Sequence, residues 1–415
     1  MKRGRKNDMV KPDRKVVSSP TTATPHAVRQ VNRAILLDLI RHHQPVSRAD
    51  LARMTGMHRS NVSFIVEELI GKGFLREEKA IPSGRGRAPF SITLRDDSLH
   101  VLGANMRYSE TAVALGMLNG EIARQISFKT PEDPAMFVKQ LSREIRRLLM
   151  SVRPSLRNLV RQLTLSVPGH INSELNHEIW IPALPKYSGY PLQEAIEEQT
   201  GISTQVMNNA SLGALAEIWL EGAQSEAMQN FVLLVIGDVG TGSGLVFNGQ
   251  LYLGHDQRFA GEIGHTVIDP NGPQCACGRR GCWQLYVCDR AAWRRFHPKI
   301  PFNSQRFAAM VEDAINGNDQ AIQALHETGE YLALGIANII QFLNPGSIVI
   351  SGAITGAWGI IEPTLTKALA VANGSSTILR PASETTDTLF LQGAIQSGLQ
   401  RLFHASSLDA IIQQK

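Results

Sequence analysis

The chain has 415 residues, 43% hydrophobic and 19% charged, enough for two or three domains with buried cores and incompatible with a disordered or fibrous chain. Its net charge of +5 divides unevenly, because residues 1–95 hold 19 Lys/Arg against 8 Asp/Glu, a net of +11, and the remainder carries −6. A basic head on a mildly acidic body points to a polyanionic partner for the head alone. There is no apolar run of about 18 residues and no apolar segment behind the basic N-terminus, so neither a membrane span nor a signal peptide is indicated, and a soluble, cytoplasmic protein with no membrane partner is expected.

Residues 1–26 read as a disordered basic arm, with Lys2, Arg3, Arg5, Lys6, Lys11, Arg14 and Lys15 ahead of a Ser/Thr/Pro stretch and too little apolar content to offset ordering entropy. The arm is either a solubilising tail or a phosphate-contacting extension. Residues 27–95 read as a winged helix-turn-helix. Val31, Ala34, Ile35, Leu37, Leu39 and Ile40 form the stripe of a core helix ending near His42. Ser47 is a candidate N-cap with Asp50 three residues on, opening a short helix that stops at Gly56. His58-Arg59-Ser60-Asn61 then opens a helix whose inner face is Val62, Ile65, Val66, Leu69 and Ile70. Two short helices about a glycine turn place the second in the major groove of double-stranded DNA. The candidate DNA contacts are Ser47, His58, Arg59, Ser60, Asn61 and Ser63, with Arg85 and Arg87 at the tip of a wing formed by Phe74–Glu77 and Phe90–Leu94. Because this motif commonly reads paired half-sites, a homodimer or homotetramer is expected.

Residues 98–415 alternate strands and helices, which implies an α/β core. Strands are expected at Leu99–Ala104, Thr111–Leu118, Leu159–Val167, Phe231–Ile236, Gly244–Phe247 and Ser347–Ser351, and helices at Ala135–Ser151 and Gln320–Phe342. All four cysteines lie between Cys275 and Cys288, a clustering that suggests metal chemistry rather than disulfides. Gly261-Glu262-Ile263-Gly264-His265 precedes Cys275-Ala276-Cys277-Gly278-Arg279-Arg280-Gly281-Cys282. His265, Cys275, Cys277 and Cys282 would satisfy one tetrahedral Zn²⁺ per protomer, a closed and therefore structural site, with Cys288 left as a small buried apolar residue. Trp180, Tyr187 and Tyr190 would stack on a ligand or serve as packing.

These motifs resemble the ROK family of repressors, open reading frames and sugar kinases, and the resemblance extends from about residue 27 onward. It implies a two-lobed, ribonuclease H-like body of the actin/hexokinase type with a sugar cleft. It further implies that Glu262 holds sugar hydroxyls and that His265 both binds zinc and touches the sugar. The leading winged helix looks like the repressor branch. Where kinases of the family carry an Asp-x-Gly-Gly-Thr phosphate turn, this chain reads Asn105-Met106-Arg107-Tyr108-Ser109. The second phosphate loop matches either Asp238–Gly242 or Gly240–Gly244. Where they carry Asn-Asp, the Asp being the catalytic base, it reads Asn208-Asn209, and an amide takes no proton at pH 7. Either asparagine would hydrogen-bond a sugar, or one, with Asn209 preferred, would cap the following helix. Gln284 stands where the family often has glutamate. The expectation is a sugar-sensing or sugar-phosphate-sensing regulator of carbohydrate genes, with Asn208, Asn209, Glu262, His265 and Gln284 at the sugar and phosphoryl transfer lost. The alternative is an active sugar kinase carrying a DNA-binding head.

Overall fold

The computed structural model describes residues 25–79, 90–172, 178–181, 184–221, 225–255, 260–371 and 376–403. Most of the basic arm, and the wing tip with Arg85 and Arg87, lie outside the described residues. The head's first helix, Pro25–His43, begins just inside the stretch read as arm and is followed by helices Arg48–Thr55 and Arg59–Gly71. Ser47 caps the second of these as expected. Its hydroxyl accepts from the Asp50 amide at 3.1 Å, and its own amide donates to the Asp50 carboxylate at 3.4 Å, closing a capping box that satisfies two orphan donors of the first turn. Gly56 then takes a φ of 69°, the left-handed conformation that only glycine adopts without steric cost. The wing strands Leu75–Lys79 and Phe90–Leu94 pair antiparallel.

The body contains two five-stranded sheets built in the same order. The first runs Ile122–Lys129, Glu110–Met117, His100–Met106, Gln162–Val167, Ser203–Asn208, and the second runs Gln250–Tyr252, Thr241–Phe247, Phe231–Ile236, Ser347–Ser351, Ile378–Pro381. In each, the strand that comes first in the chain is central, antiparallel to the second and parallel to the fourth. This doubled α/β unit is the two-lobed, ribonuclease H-like arrangement expected. The central strands, His100–Met106 and Phe231–Ile236, are buried along their whole length, as strands covered on both faces must be.

Two helices tie the lobes together. Asn209–Glu221 leaves the end of the first sheet and packs on the second, while Thr386–Leu402 follows the last strand of the second sheet and packs on the first. Where they cross, a Cβ on Gly393 would lie 1.9 Å from the Leu212 carbonyl oxygen. The head's core is continuous with the body's, because Leu37, Ile40, Val62, Phe74 and Ile92 share one buried cluster with Val101, Leu118, Ile395, Leu399 and Phe403 of the body. Arg41 of the first helix, 5% exposed, donates to Gln396 Oε1 at 2.5 Å and lies 4.3 Å from the Trp219 ring centroid, a cation–π contact strengthened by burial. No helix among the described residues is long and apolar enough to cross a membrane.

Because neither backbone at the crossing has room to move aside, Gly393→Ala is expected to destabilise the chain by about 1–3 kcal/mol or more, read as a lower urea midpoint with an unchanged slope.

Candidate functional site

A cleft of about 210 Å³ is lined by residues from both lobes. Pro168, Gly169, Asn208, Gly237 and Asp238 bring to it the carboxyl ends of strands Gln162–Val167, Ser203–Asn208 and Phe231–Ile236, the usual place for a ligand on α/β sheets. Asn208 and Asn209 divide the work at its floor. Asn208 Nδ2 donates to the Gly169 carbonyl at 2.8 Å, and its Oδ1 accepts from the amides of Ala210 at 2.9 Å and Ser211 at 3.2 Å. Asn208 is therefore the helix cap, a role the sequence pattern favoured for Asn209. Asn209 accepts from the Ala210 amide at 2.8 Å, and its Nδ2 donates to no group among the described residues.

Opposite them, Gly261 turns the chain with a φ of 92° into the short 3-10 helix Glu262–His265. The His265 ring faces two ways, with Nε2 3.9 Å from Glu262 Oε2 and Nδ1 3.6 Å from Cys275 Sγ. Behind it, His265, Cys275, Cys277 and Cys282 each offer one ligand atom, all within 4.8 Å of one another, and Cys277 and Cys282 are 3.5 Å apart at sulfur. A tetrahedral site with metal–ligand bonds of about 2.0–2.3 Å has edges of about 3.5–3.8 Å, which the His265–Cys275 and Cys277–Cys282 separations match, and three thiols with an imidazole are a donor set that suits a divalent metal ion. Hydrogen bonds from the Cys275 amide to Arg279 O at 2.8 Å and from the Gly278 amide to Cys275 O at 3.0 Å fold the loop. Burial, with the neighbouring thiols, pushes Cys282 up to about 12. Cys277 sits at about 7, where burial is outweighed by hydrogen bonds from Arg279 and the other thiols. A bound cation would deprotonate both. Cys288 is buried and stands outside the group. Gln284 links cluster to cleft, with Nε2 3.4 Å from Cys275 Sγ and Oε1 accepting from the Thr241 amide at 3.4 Å.

At the cleft's other edge, Arg107 donates to Asp387 at 2.6 Å and Ser304 donates to Asp238 at 2.8 Å. Burial, then the Asp238 charge, raises the nearby Asp289 carboxyl well above its ordinary value. Gly237–Gly240 form a tight turn closed by the Gly237 amide on Gly240 O at 2.9 Å, and Gly244 lies beyond it in a strand, against Ala210 O. Tyr187 is packing: it is fully buried, with its hydroxyl donating to Pro131 O at 2.7 Å. Tyr190 packs against the same core.

In the head, Arg59, Ser60 and Asn61 are exposed on the first turn of the Arg59–Gly71 helix, and Ser63 is half-buried. His58 is that helix's N-cap, its Nδ1 2.8 Å from Ser60 Oγ. Ser47 is engaged in its capping box. Arg59 makes no ion pair among the described residues, which leaves its charge available.

The ROK family model matches residues 102–394. The chain belongs to the ROK family. A model of the IclR helix-turn-helix domain matches residues 34–79 in front of the ROK body. The chain is 26% identical over 347 residues to the N-acetylglucosamine repressor of Escherichia coli O6:H1, covering 81% of this chain and 84% of that protein. It is 27% identical over 327 residues to the xylose repressor of Bacillus spizizenii, covering 79% and 83%. The fold superposes on the crystal structure of a ROK family transcriptional regulator, a homologue of the Escherichia coli MLC protein, with a TM-score of 0.75 at 24% identity, covering 94% of this chain and all of that one.

Sequence reasoning missed Thr386 and Phe390, which bring the last ROK helix to the cleft, and Asp387, which holds Arg107 at its edge. Nothing local marks them, since they lie far along the chain from Asn208. Asn208→Ala removes a cap and a strand tie together and is expected to cost about 1–2 kcal/mol, measured by thermal unfolding, and to exceed the cost of Asn209→Ala.

Proposed function

We propose that this ROK protein is a sugar-responsive transcriptional regulator acting in the cytoplasm, a repressor of carbohydrate uptake or breakdown genes. Its head binds double-stranded operator DNA through Arg59, Ser60, Asn61 and their neighbours, as a homodimer or homotetramer matched to paired half-sites. Its cleft binds a small carbohydrate or sugar phosphate through Asn208, Asn209, Glu262, His265 and Gln284. The observation that carries this reading is the pair of helices that begin at the cleft and pass to the head. Asn209–Glu221 starts at the asparagine pair and carries Trp219, while Thr386–Leu402 starts at the cleft and carries Gln396; both side chains grip Arg41 of the head. The names of the related sugar repressors support the same reading.

A ligand acts here only through unequal affinity for the operator-competent and incompetent arrangements, and a coupling of about 1–3 kcal/mol would change operator affinity about 5- to 150-fold. One Zn²⁺ held by His265, Cys275, Cys277 and Cys282 would be structural, fixing the imidazole in the orientation that presents Nε2 to the cleft. Two features argue against phosphoryl transfer. The amide of Asn209 stands where a base would be needed, and Arg107, paired with Asp387 of the last helix, lies in the hairpin where a phosphate turn would lie.

Operator duplexes selected from a random pool, titrated with a panel of pentoses, hexoses, amino sugars and their phosphates, are expected to show at least one about fivefold change in affinity. Sugar-dependent nucleotide consumption by the purified chain would instead establish the kinase alternative. Metal analysis is expected to find about one zinc ion per chain, lost in Cys277→Ser with a fall in thermal midpoint. Full retention would contradict the ligand set.

A further inference from the structure

The helix Arg59–Gly71 turns Val62, Ile65, Val66 and Leu69 into the core, all 0% exposed. At about 100° per residue, the direction opposite that core runs through Ser60, Phe64 and Glu67. Phe64 is 54% exposed there, a large aromatic on the surface that the helix-turn-helix geometry presents to DNA. Exposed apolar residues are common, and what distinguishes this one is how it is held. The Arg29 guanidinium lies 4.3 Å from its ring centroid. Arg29 is itself fixed by Glu68 at 3.1 Å, and Glu68 by Arg33 at 2.7 Å. The ring is thus held by a cation–π contact, whereas the polar residues of the same face are engaged within the head. Ser60 Oγ is 2.8 Å from His58 Nδ1, and Glu67 accepts from Arg48 at 2.8 Å.

We infer that Phe64 is a sequence-reading residue of the head, selecting thymine at one position of each half-site through contact with the C5 methyl group. This rests on the DNA-binding reading above and adds to it what is read. A phenyl ring has no hydrogen-bonding group, so in the major groove the base feature that complements it is the thymine methyl. Burying one methyl against the ring is worth about a fourfold preference.

The test is selection from a random-sequence duplex pool by the full-length wild type and by Phe64→Ala, followed by affinity measurement on the enriched duplex. The wild type is expected to enrich a thymine at one position of each half-site. Replacing that thymidine with deoxyuridine, which removes only the methyl, should weaken its binding about fourfold. Phe64→Ala, whose side chain is exposed and whose loss removes only the Arg29 contact, is expected to stay folded, lose that one preference, keep the rest of the consensus and bind both duplexes alike. The same thymine preference in the variant, or wild-type indifference to deoxyuridine, overturns the inference while leaving operator binding intact. So does an unchanged preference accompanied by a changed oligomeric state, which would make Phe64 an interface residue. If the wild type enriches no sequence at all, the DNA-binding reading itself fails.

Discussion

At Gly393 the last helix approaches the Asn209–Glu221 helix so closely that a methyl group would sit 1.9 Å from the Leu212 carbonyl oxygen, and this approach aligns both helices along their length. Each helix starts at the cleft and rests on the sheet of the opposite lobe. Under the regulatory reading proposed above, a change in the separation of the lobes would be carried past the crossing to Trp219, near the end of its helix, and to Gln396, one turn beyond Gly393, which together hold Arg41. Close-packed interiors transmit such displacements because they have few voids to take them up. Burial lowers the affinity of Arg41 for its proton, while Asp38, at 2.9 Å, counters that loss. The contact is a charge held in a tight apolar frame, sensitive to small changes in its surroundings.

The same economy of position governs the cleft. The His265 imidazole faces the thiol cluster with one nitrogen and Glu262 with the other, and Gln284 touches both a cysteine sulfur and the Thr241 amide. A group bound in the cleft and an ion bound behind it would thus share ring and amide orientations. Whatever fixes the His265 tautomer on one side fixes it on the other.

Much of this was legible in the sequence wherever the signal was local. The capping box at Ser47, the inner face of the Arg59–Gly71 helix, the all-apolar strands and the cysteine spacing each depend on residues a few positions apart, and all appear where those patterns put them. The asparagine pair was harder, since both residues have the chemistry of a cap. The choice of Asn208 depends on Gly169, almost forty residues earlier, accepting its amide. Thr386 and Phe390 were invisible as cleft residues, and Asp387 as the partner of Arg107, because the helix Thr386–Leu402 reaches the cleft only through the exchange of helices between lobes. Phe64 was left off the inner face read from the sequence, and no role was read for it. Its exposure follows from the direction of that face, and what the sequence does not show is the Arg29 guanidinium stacked on its ring.

The core that runs without a break from Leu37 and Phe74 into Ile395 and Leu399 has a consequence for how such proteins can diversify. A DNA-reading head sharing its apolar interior with the terminal helix of its effector domain is not an interchangeable module. Grafting a different head at residue 95 would leave the outward side chains of residues 395–403 facing a surface shaped for other partners. Operator preference and effector preference can then drift independently only at the two extremities, the recognition surface and the cleft. The join between them has to change as matched sets of residues on both sides.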